Sequence, residues 1–510
     1  MSRQNLLLIS IFIITAIYYM PIINLPLGPL DEAFILVGAE KILNGQIPHK
    51  DFSSEYPLGQ ISTLAALFKV FGVTVMTERV YDLIVKSLIS LSVFLIIRFL
   101  ASNGTAFVGW VMSLIWLQHS SVPAYPVYPC LLFIFISVYF LLFYMEEQKN
   151  YYIVLSTLFI VLSILFRHDI GGYAAIAVTI VLILRSIVGV QSWAPVVLFI
   201  ASGVLVCLPV IVYFFMHAAL GYLYNDLIIM PLTFSKSQVF PYPSLSRWNL
   251  PFYVFPSVVL AGAISSIFLI IRKKDDTTAY AILLISLIGI FFFNQARWRS
   301  DMVHLIPVAL TGILLAPILL HTLMKRFSLN IWSSRIVFLL FVIAFGITLS
   351  KPISVIKRLL STTNGYILKN INPDIERAQY WDIREDIRDT VAYIKKNTSN
   401  NDYIYVGVKN HDKFNFNEVI IYFLSERDSA SRYHVLNTGY HTTSEVQQGM
   451  VNEFKNRPPK LVLLLTRFRN EPNLSSIDTK VDILDNYISS NYELKETYGF
   501  YEIWMIKNRP

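Results

Sequence analysis

Apolar runs of about 20 residues recur along the first two thirds of the chain, separated by short segments that carry Lys or Arg. Hydrocarbon offers no water to pair backbone N–H and C=O groups, so runs of this length cross a membrane as α-helices. The candidate spans are 4–24, 80–100, 104–120, 129–145, 151–166, 171–188, 193–215, 252–271, 278–294, 304–322 and 332–350. The expected fold is therefore an α-helical polytopic membrane protein with about 11 transmembrane helices. The first run follows Arg3 and has no small-residue cleavage site after it, so it reads as a retained span that also acts as the signal. The stretch 58–73 is short and contains Lys69, which fits a helix lying at the interface better than a span.

Charge divides the chain. Residues 1–375 hold 24 Lys+Arg and 15 Asp+Glu, whereas the 135 residues from 376 to 510 hold 18 and 19. A membrane module (1–351), a linker (352–375) and a C-terminal α/β domain (376–510) are expected. In the last, helical patterns at 383–394, 417–424 and 483–489 alternate with strand patterns at 403–408, 460–465 and 501–506. With the N-terminus in the cytoplasm, Arg98, Lys149, Arg185, Arg272-Lys273-Lys274, Lys325-Arg326 and Arg335 all fall on the cytoplasmic side. An odd number of spans then puts the C-terminal domain outside the cell. The net charge of +8 comes from Lys and Arg flanking the membrane and gives no reason to expect nucleic acid as a partner. Cys130 and Cys207, both in apolar runs, exclude a disulfide scaffold and any cysteine-based metal site. There is no Walker-type loop and no GxGxxG after a strand, so a nucleotide-using domain is not expected.

That topology gathers the polar clusters on the outer face. Asp31 and Glu32 open a helical pattern in the first outer loop (25–78), and Asp51, Glu55 and Tyr56 follow it. Acids at a helix start also serve the helix dipole, which is the plainer reading of Asp31-Glu32. Arg167-His168-Asp169 sits between two spans with almost no loop. It reads either as a snorkelling turn or as a phosphate and hydroxyl site. Arg297, Arg299, Asp301 and His304 form a third cluster, with Asp301 and His304 on one helical face; an interfacial Arg–Trp belt is the alternative. The outer loop 217–250, with Tyr222, Asp226, Lys236 and Arg247, is rich in Pro and aromatics and is either a lid or a passive hairpin. No linear spacing specifies a metal site.

The acidic pair after the first span, Asn44-Gly45-Gln46-Ile47-Pro48, Asp51-Phe52 and Tyr56-Pro57-Leu58 together resemble the first outer loop of GT-C glycosyltransferases. The likeness is to the branch of protein O-mannosyltransferases and lipid A aminoarabinose transferases. Arg167-His168-Asp169, the stretch from Arg299 to His304 and the terminal Tyr498-Gly499-Phe500-Tyr501-Glu502-Ile503-Trp504 extend it. Tyr56-Pro57-Leu58 departs from the consecutive prolines of many relatives. The resemblance implies a transferase that moves a sugar from a polyprenyl-phosphate donor to a hydroxyl of a protein, lipid or polysaccharide acceptor, with inversion. It implies Asp31 as the base. Arg297, Arg299 and Arg167 would meet the phosphate, and Glu32, Asp51, Glu55, Tyr56, His168, Asp169, Asp301 and His304 would line the substrate site. It leaves a divalent metal open, with Asp51 and Glu55 as candidate ligands. The compact loops and lack of secretory cysteines fit a prokaryotic plasma membrane. Two other classes compete: a flippase of an isoprenoid-linked glycan, and a non-catalytic scaffold. A flippase predicts mid-bilayer polar residues and internal repeats; a scaffold leaves the outward carboxylates without a use.

Overall fold

A computed structural model describes residues 3–119, 122–235, 238–328, 330–362, 371–413, 416–437, 439–467 and 478–507. Lys236 and residues 363–370 of the expected linker lie outside them. Each expected span is a helix: α1 (Arg3–Tyr19), α4 (Val75–Leu100), α5 (Asn103–His119), α6 (Val127–Glu147), α7 (Asn150–Phe166), α8 (His168–Ile187), α9 (Ala194–Met216), α12 (Leu250–Arg272), α13 (Thr277–Trp298), α14 (Ile306–Arg326) and α15 (Ile331–Thr348). Among the described residues, eight helices are long and apolar enough to cross a membrane: α1 extended by the 3-10 turn Met20–Asn24, α4, α6, α8, α9, α12 extended by Arg247–Asn249, α13 and α14. The other three, α5, α7 and α15, have 17, 17 and 18 residues. The chain is thus a polytopic membrane protein. Apolar side chains on α9 (Val197, Val204, Leu205) and α15 (Ile336, Leu339, Leu340) face outward, where lipid replaces water.

Between α1 and α4 lie α2 (Asp31–Leu43) and α3 (Gly59–Phe71). At 13 residues α3 is too short to span. The segment after α9 folds into two five-residue helices, α10 (Leu220–Tyr224) and α11 (Met230–Phe234), joined by the π turn Asn225–Ile229. Amphipathic α16 (Ser350–Thr362) occupies the first part of the expected linker.

The C-terminal domain comprises α17 (Glu385–Asn397), β1 (Tyr403–Val408), α18 (Ile420–Ser425), β2 (Asp428–Ser429), α19 (Ser444–Asn456), β3 (Leu461–Leu465), α20 (Ile483–Asn491), β4 (Tyr492–Tyr498) and β5 (Tyr501–Ile506). The sheet order is β2-β1-β3-β5-β4. β1 is parallel to β2 and β3, whereas β5 is antiparallel to β3 and β4. The continuous apolar runs of β1 and β3 fit a sheet centre covered on both faces.

This domain shares a hydrophobic core with the segment ahead of α4. Phe34, Leu36, Phe52, Ile61 and Phe68 pack in one cluster with Trp381, Ile420, Phe423, Leu463 and Ile503. Polar ties surround it. Arg377 donates two hydrogen bonds to Glu40 (2.7 and 2.8 Å), Gln46 donates to Asp428 (2.6 Å), and Lys41 is paired with the same Asp428. The sheet domain is therefore docked on one end of the bundle.

Candidate active site

At that end a cavity of about 580 Å³ opens between bundle and domain. Nine of the twelve residues singled out from the sequence line it: Asp31, Glu32, Glu55, Tyr56, Arg167, His168, Asp169, Arg299 and His304. The other three lie outside the wall. Asp51 is exposed and closes its own turn, accepting from Ile47 N (2.7 Å). Arg297 is exposed on α13. Asp301 stands behind the wall and organises it.

Asp31 occupies the first position of α2, exposed toward the cavity. What holds it there is its neighbour. The Glu32 carboxylate accepts from Arg79 Nε and Nη2 (2.7 and 2.8 Å) and from Gly28 N (2.7 Å), with both side chains fully buried. Arg79 also donates to the carbonyls of Ile22 and Pro26, which fixes the chain entering α2. Glu32 thus anchors the helix start. Arg79 escaped the sequence reading because the expected span began at residue 80, whereas α4 starts at Val75 and carries Arg79 inside.

The two arginines of the wall share a construction. Arg167 is the single extended residue between α7 and α8 (φ −145°, ψ 101°), and Arg299 is extended just after α13 (φ −123°, ψ 93°). Each is paired with the aspartate two residues on. Arg167 donates to both oxygens of Asp169 (2.9 and 2.7 Å), and its guanidinium lies 5.1 Å from the Tyr56 ring centre. Arg299 donates to Asp301 Oδ2 (3.2 Å) and Gln238 Oε1 (3.2 Å). Asp301 Oδ1 accepts from His304 N (2.9 Å) and pairs with His304 Nδ1 (2.8 Å). Burial works to raise the Asp301 carboxyl, but the hydrogen bonds from His304 outweigh it and hold it below the ordinary carboxylate range. Two glycines make the Arg167 junction possible. A Cβ on Gly59 would stand 2.6 Å from Leu165 O, and one on Gly171 would stand 2.5 Å from Ile164 N.

Glu55 is the other carboxylate on the wall. Burial pushes it up to about 7, reinforced by the negative charges of Asp31 and Asp226 and opposed by a hydrogen bond from Asn437 and by Arg167. Asn437, Phe416 and Val435 are wall residues from the C-terminal domain, and Pro231, Ser235 and Gln238 come from the segment after α9. None was foreseen individually; they are ordinary side chains with no motif around them. A buried junction ties these parts together. Asp226, with no exposed surface, pairs with His49 Nδ1 (3.3 Å) and accepts from Ser54 N (3.1 Å) and Arg432 Nη2 (3.3 Å). Among the described residues no three His, Cys, Asp or Glu side chains converge as a metal-binding group, and Asp51 lies off the cavity wall that carries Glu55.

Bundle, docked sheet domain and cavity together define a polytopic membrane fold of the GT-C type. The chain is similar to ArnT, the lipid A aminoarabinose transferase, from Cupriavidus metallidurans in the apo state. Identity is 12%, with 99% of this chain and 98% of that chain covered and a TM-score of 0.52. The same protein bound to undecaprenyl phosphate gives 12% identity, coverage of 98% and 97%, and a TM-score of 0.51. The oligosaccharyltransferase AglB from Archaeoglobus fulgidus, in complex with an inhibitory peptide and a dolichol-phosphate, gives 10% identity, coverage of 91% and 70%, and a TM-score of 0.51. At these identities the likeness is one of fold. No protein-family model and no curated protein matches the sequence.

Proposed function

We propose that the chain is an integral membrane glycosyltransferase that moves a sugar from a polyprenyl-phosphate donor to an acceptor hydroxyl on the outer face of the membrane. The observation that carries this reading is the meeting of Asp31, Glu55, Arg167 and Arg299 in one cavity at the end of the bundle. Solved structures of the same fold are described with undecaprenyl phosphate and dolichol-phosphate, which favours a lipid phosphate as the leaving group. The acceptor is a protein, lipid or polysaccharide hydroxyl, and the membrane is a prokaryotic plasma membrane with residues 376–510 outside.

The chemistry follows from the groups present. Asp31 takes the proton of the acceptor hydroxyl as its oxygen bonds to the anomeric carbon. The bond from that carbon to the lipid phosphate oxygen breaks with its electron pair, and displacement from the opposite face inverts the configuration. Arg167 and Arg299 stabilise the charge growing on the leaving phosphate; their aspartate partners keep them oriented before substrate arrives. Glu55 and Tyr56 orient sugar or acceptor hydroxyls beside Asp31. The flippase alternative asks for polar residues at mid-bilayer, whereas this cavity sits at the bundle end.

The test is transfer by purified protein in nanodiscs, with radiolabelled polyprenyl-phosphate sugars as donors and host membrane extract as acceptor. Label entering product with wild type, and falling about 10²–10⁴-fold with Asp31→Asn, is the expected result. Persistence in Asp31→Asn moves the base to Glu55. Folded protein that transfers from no donor overturns the reading.

A further inference from the structure

Glu55 belongs to the membrane module, yet the side chain that holds its carboxylate comes from the other domain. Asn437 Nδ2 donates to Glu55 Oε1. Asn437 is 5% exposed, and its own position is closely specified. Its backbone N–H donates to His441 Nδ1 (2.7 Å), and its carbonyl accepts from His441 N (3.0 Å). Burial holds the His441 ring down to about 3, so the imidazole is neutral and one of its ring nitrogens is able to accept. Just upstream, the Asn417 amide donates to the carbonyls of Val406 in β1 (2.9 Å) and His434 (2.8 Å), and its oxygen accepts from Leu436 N (3.1 Å). Hydrogen bonds from the central sheet therefore fix Leu436, and the next residue along the chain, Asn437, reaches Glu55.

We propose that Asn437 is a positioning residue for Glu55: through this one amide the C-terminal domain fixes the carboxylate in the cavity wall and favours its charged form. The inference rests on the reading of the cavity as a transfer site only for its consequence, since the contact itself is independent of the reaction. The charges facing Glu55 oppose one another. Asp31 on α2 and Asp226 in the π turn disfavour a second negative charge, whereas Arg167 at the α7–α8 junction favours it. Tyr56 and His168 line the same cavity, and across it Arg299 and His304 are both engaged by Asp301. Asn437 is the donor whose removal leaves all of these in place. A carboxylate that loses one donated hydrogen bond in a buried site binds its proton more tightly, by about one pH unit.

The experiment uses the full-length protein in nanodiscs and infrared spectroscopy. The carboxyl stretching band that Glu55→Gln removes is titrated in wild type and in Asn437→Leu. The expected midpoint is about 7 in wild type, rising by about one unit in Asn437→Leu. If Asn437→Leu does not fold, Asn437→Asp keeps the size, replaces a donor by an acceptor and raises the midpoint further. An unchanged midpoint in a folded variant overturns the proposal and leaves Asn437 with a structural role only. Transfer assays on the same samples separate the two claims. A shifted midpoint in a protein that transfers from no donor keeps this inference and removes the transferase; normal transfer with an unmoved midpoint does the reverse. Where both hold, the acid limb of the transfer rate moves up with the midpoint in Asn437→Leu, a displacement that loss of folded protein alone would not produce.

Discussion

Arg432→Ala should loosen the junction between the C-terminal domain and the membrane module by an amount that follows from its contacts. Arg432 donates to the His49 carbonyl and, at 3.3 and 3.4 Å, to the two oxygens of Asp226. Its guanidinium also lies 5.0 Å from the ring centres of Tyr222 and Tyr433. Breaking a fully buried ion pair costs about 3–5 kcal/mol, because the remaining charge is left uncompensated. Here the bonds are long, Arg432 is 12% exposed, and Asp226 keeps Ser54 N and His49. The cost therefore falls below that range, at about 2–3 kcal/mol. At 1.4 kcal/mol per factor of ten this is about 30- to 150-fold in local opening. The reporter is the amide of Ser53, which donates to Arg432 O (2.9 Å), followed by hydrogen exchange and mass spectrometry in nanodiscs. Removing the stranded charge as well, in Asp226→Asn with Arg432→Met, should recover at least half of the lost protection. Exchange at Ser53 within about threefold of wild type in Arg432→Ala would refute the reasoning, since the buried charge would then be held by other partners.

Other perturbations test other parts of the site. Arg79→Met strands the Glu32 carboxylate where neither partner is exposed, so a loss of about 3–5 kcal/mol is expected; adding Glu32→Gln should return most of it in thermal melting. Gly59→Ala forces a Cβ against Leu165 O at 2.6 Å and should cost about 1–3 kcal/mol, whereas Gly104→Ala, with no atom within 4 Å, should be neutral or slightly stabilising. Because the Glu55 carboxyl is raised in the folded state, folding takes up a proton between the ordinary carboxylate value and about 7. Its contribution to stability is complete below the ordinary carboxylate value and is lost as pH rises through about 7. Melting temperatures of wild type and Glu55→Gln should diverge across that window, wild type falling the more steeply; parallel curves would show that Glu55 titrates as an ordinary surface acid.

The legible parts of the molecule were those where one physical requirement dominates. Hydrocarbon imposes both length and composition on a span, so the α4–α9 and α12–α15 helices were found within a few residues. The strand patterns at 403–408 and 501–506 matched β1 and β5 because each alternates or buries residues in the way a sheet demands. Elements whose stability comes from their surroundings were not visible. β4 (YELKETY) is an edge strand rich in charge, β2 is two residues long, and α19 (SEVQQGMVNEFKN) buries only a narrow stripe. The same division holds in the cavity. Asp31, Arg167 and Arg299 stood out because a charge next to a membrane needs a reason. Asn437, Phe416 and Val435 carry no such cost, and only the docking of the domain brings them to the wall. Asp51 closes a turn and Arg297 is exposed on α13, both off the cavity wall.

The placement of the arginines explains why such a site sits at the bundle end. A guanidinium held inside a span must be desolvated whether or not substrate is present. A one-residue break between two helices puts the guanidinium on the cavity wall instead, where Arg167 is still only 8% exposed and needs a partner. The extended residue leaves the helix, and the aspartate two positions on neutralises it with two hydrogen bonds. The same pairing at Arg299-Ser300-Asp301, in the loop between α13 and α14, gives the second guanidinium of the wall its own aspartate. Under the proposed function, an anionic lipid phosphate entering that wall would meet guanidinium planes that the aspartates already orient. The docked domain then supplies the far side of the wall, with Asn437 on Glu55, a carboxylate that burial pushes toward its neutral form. Charge of both signs thus stands on one wall because each arginine is paired with the aspartate two residues on, whereas Glu55 is held by a donor from the docked domain.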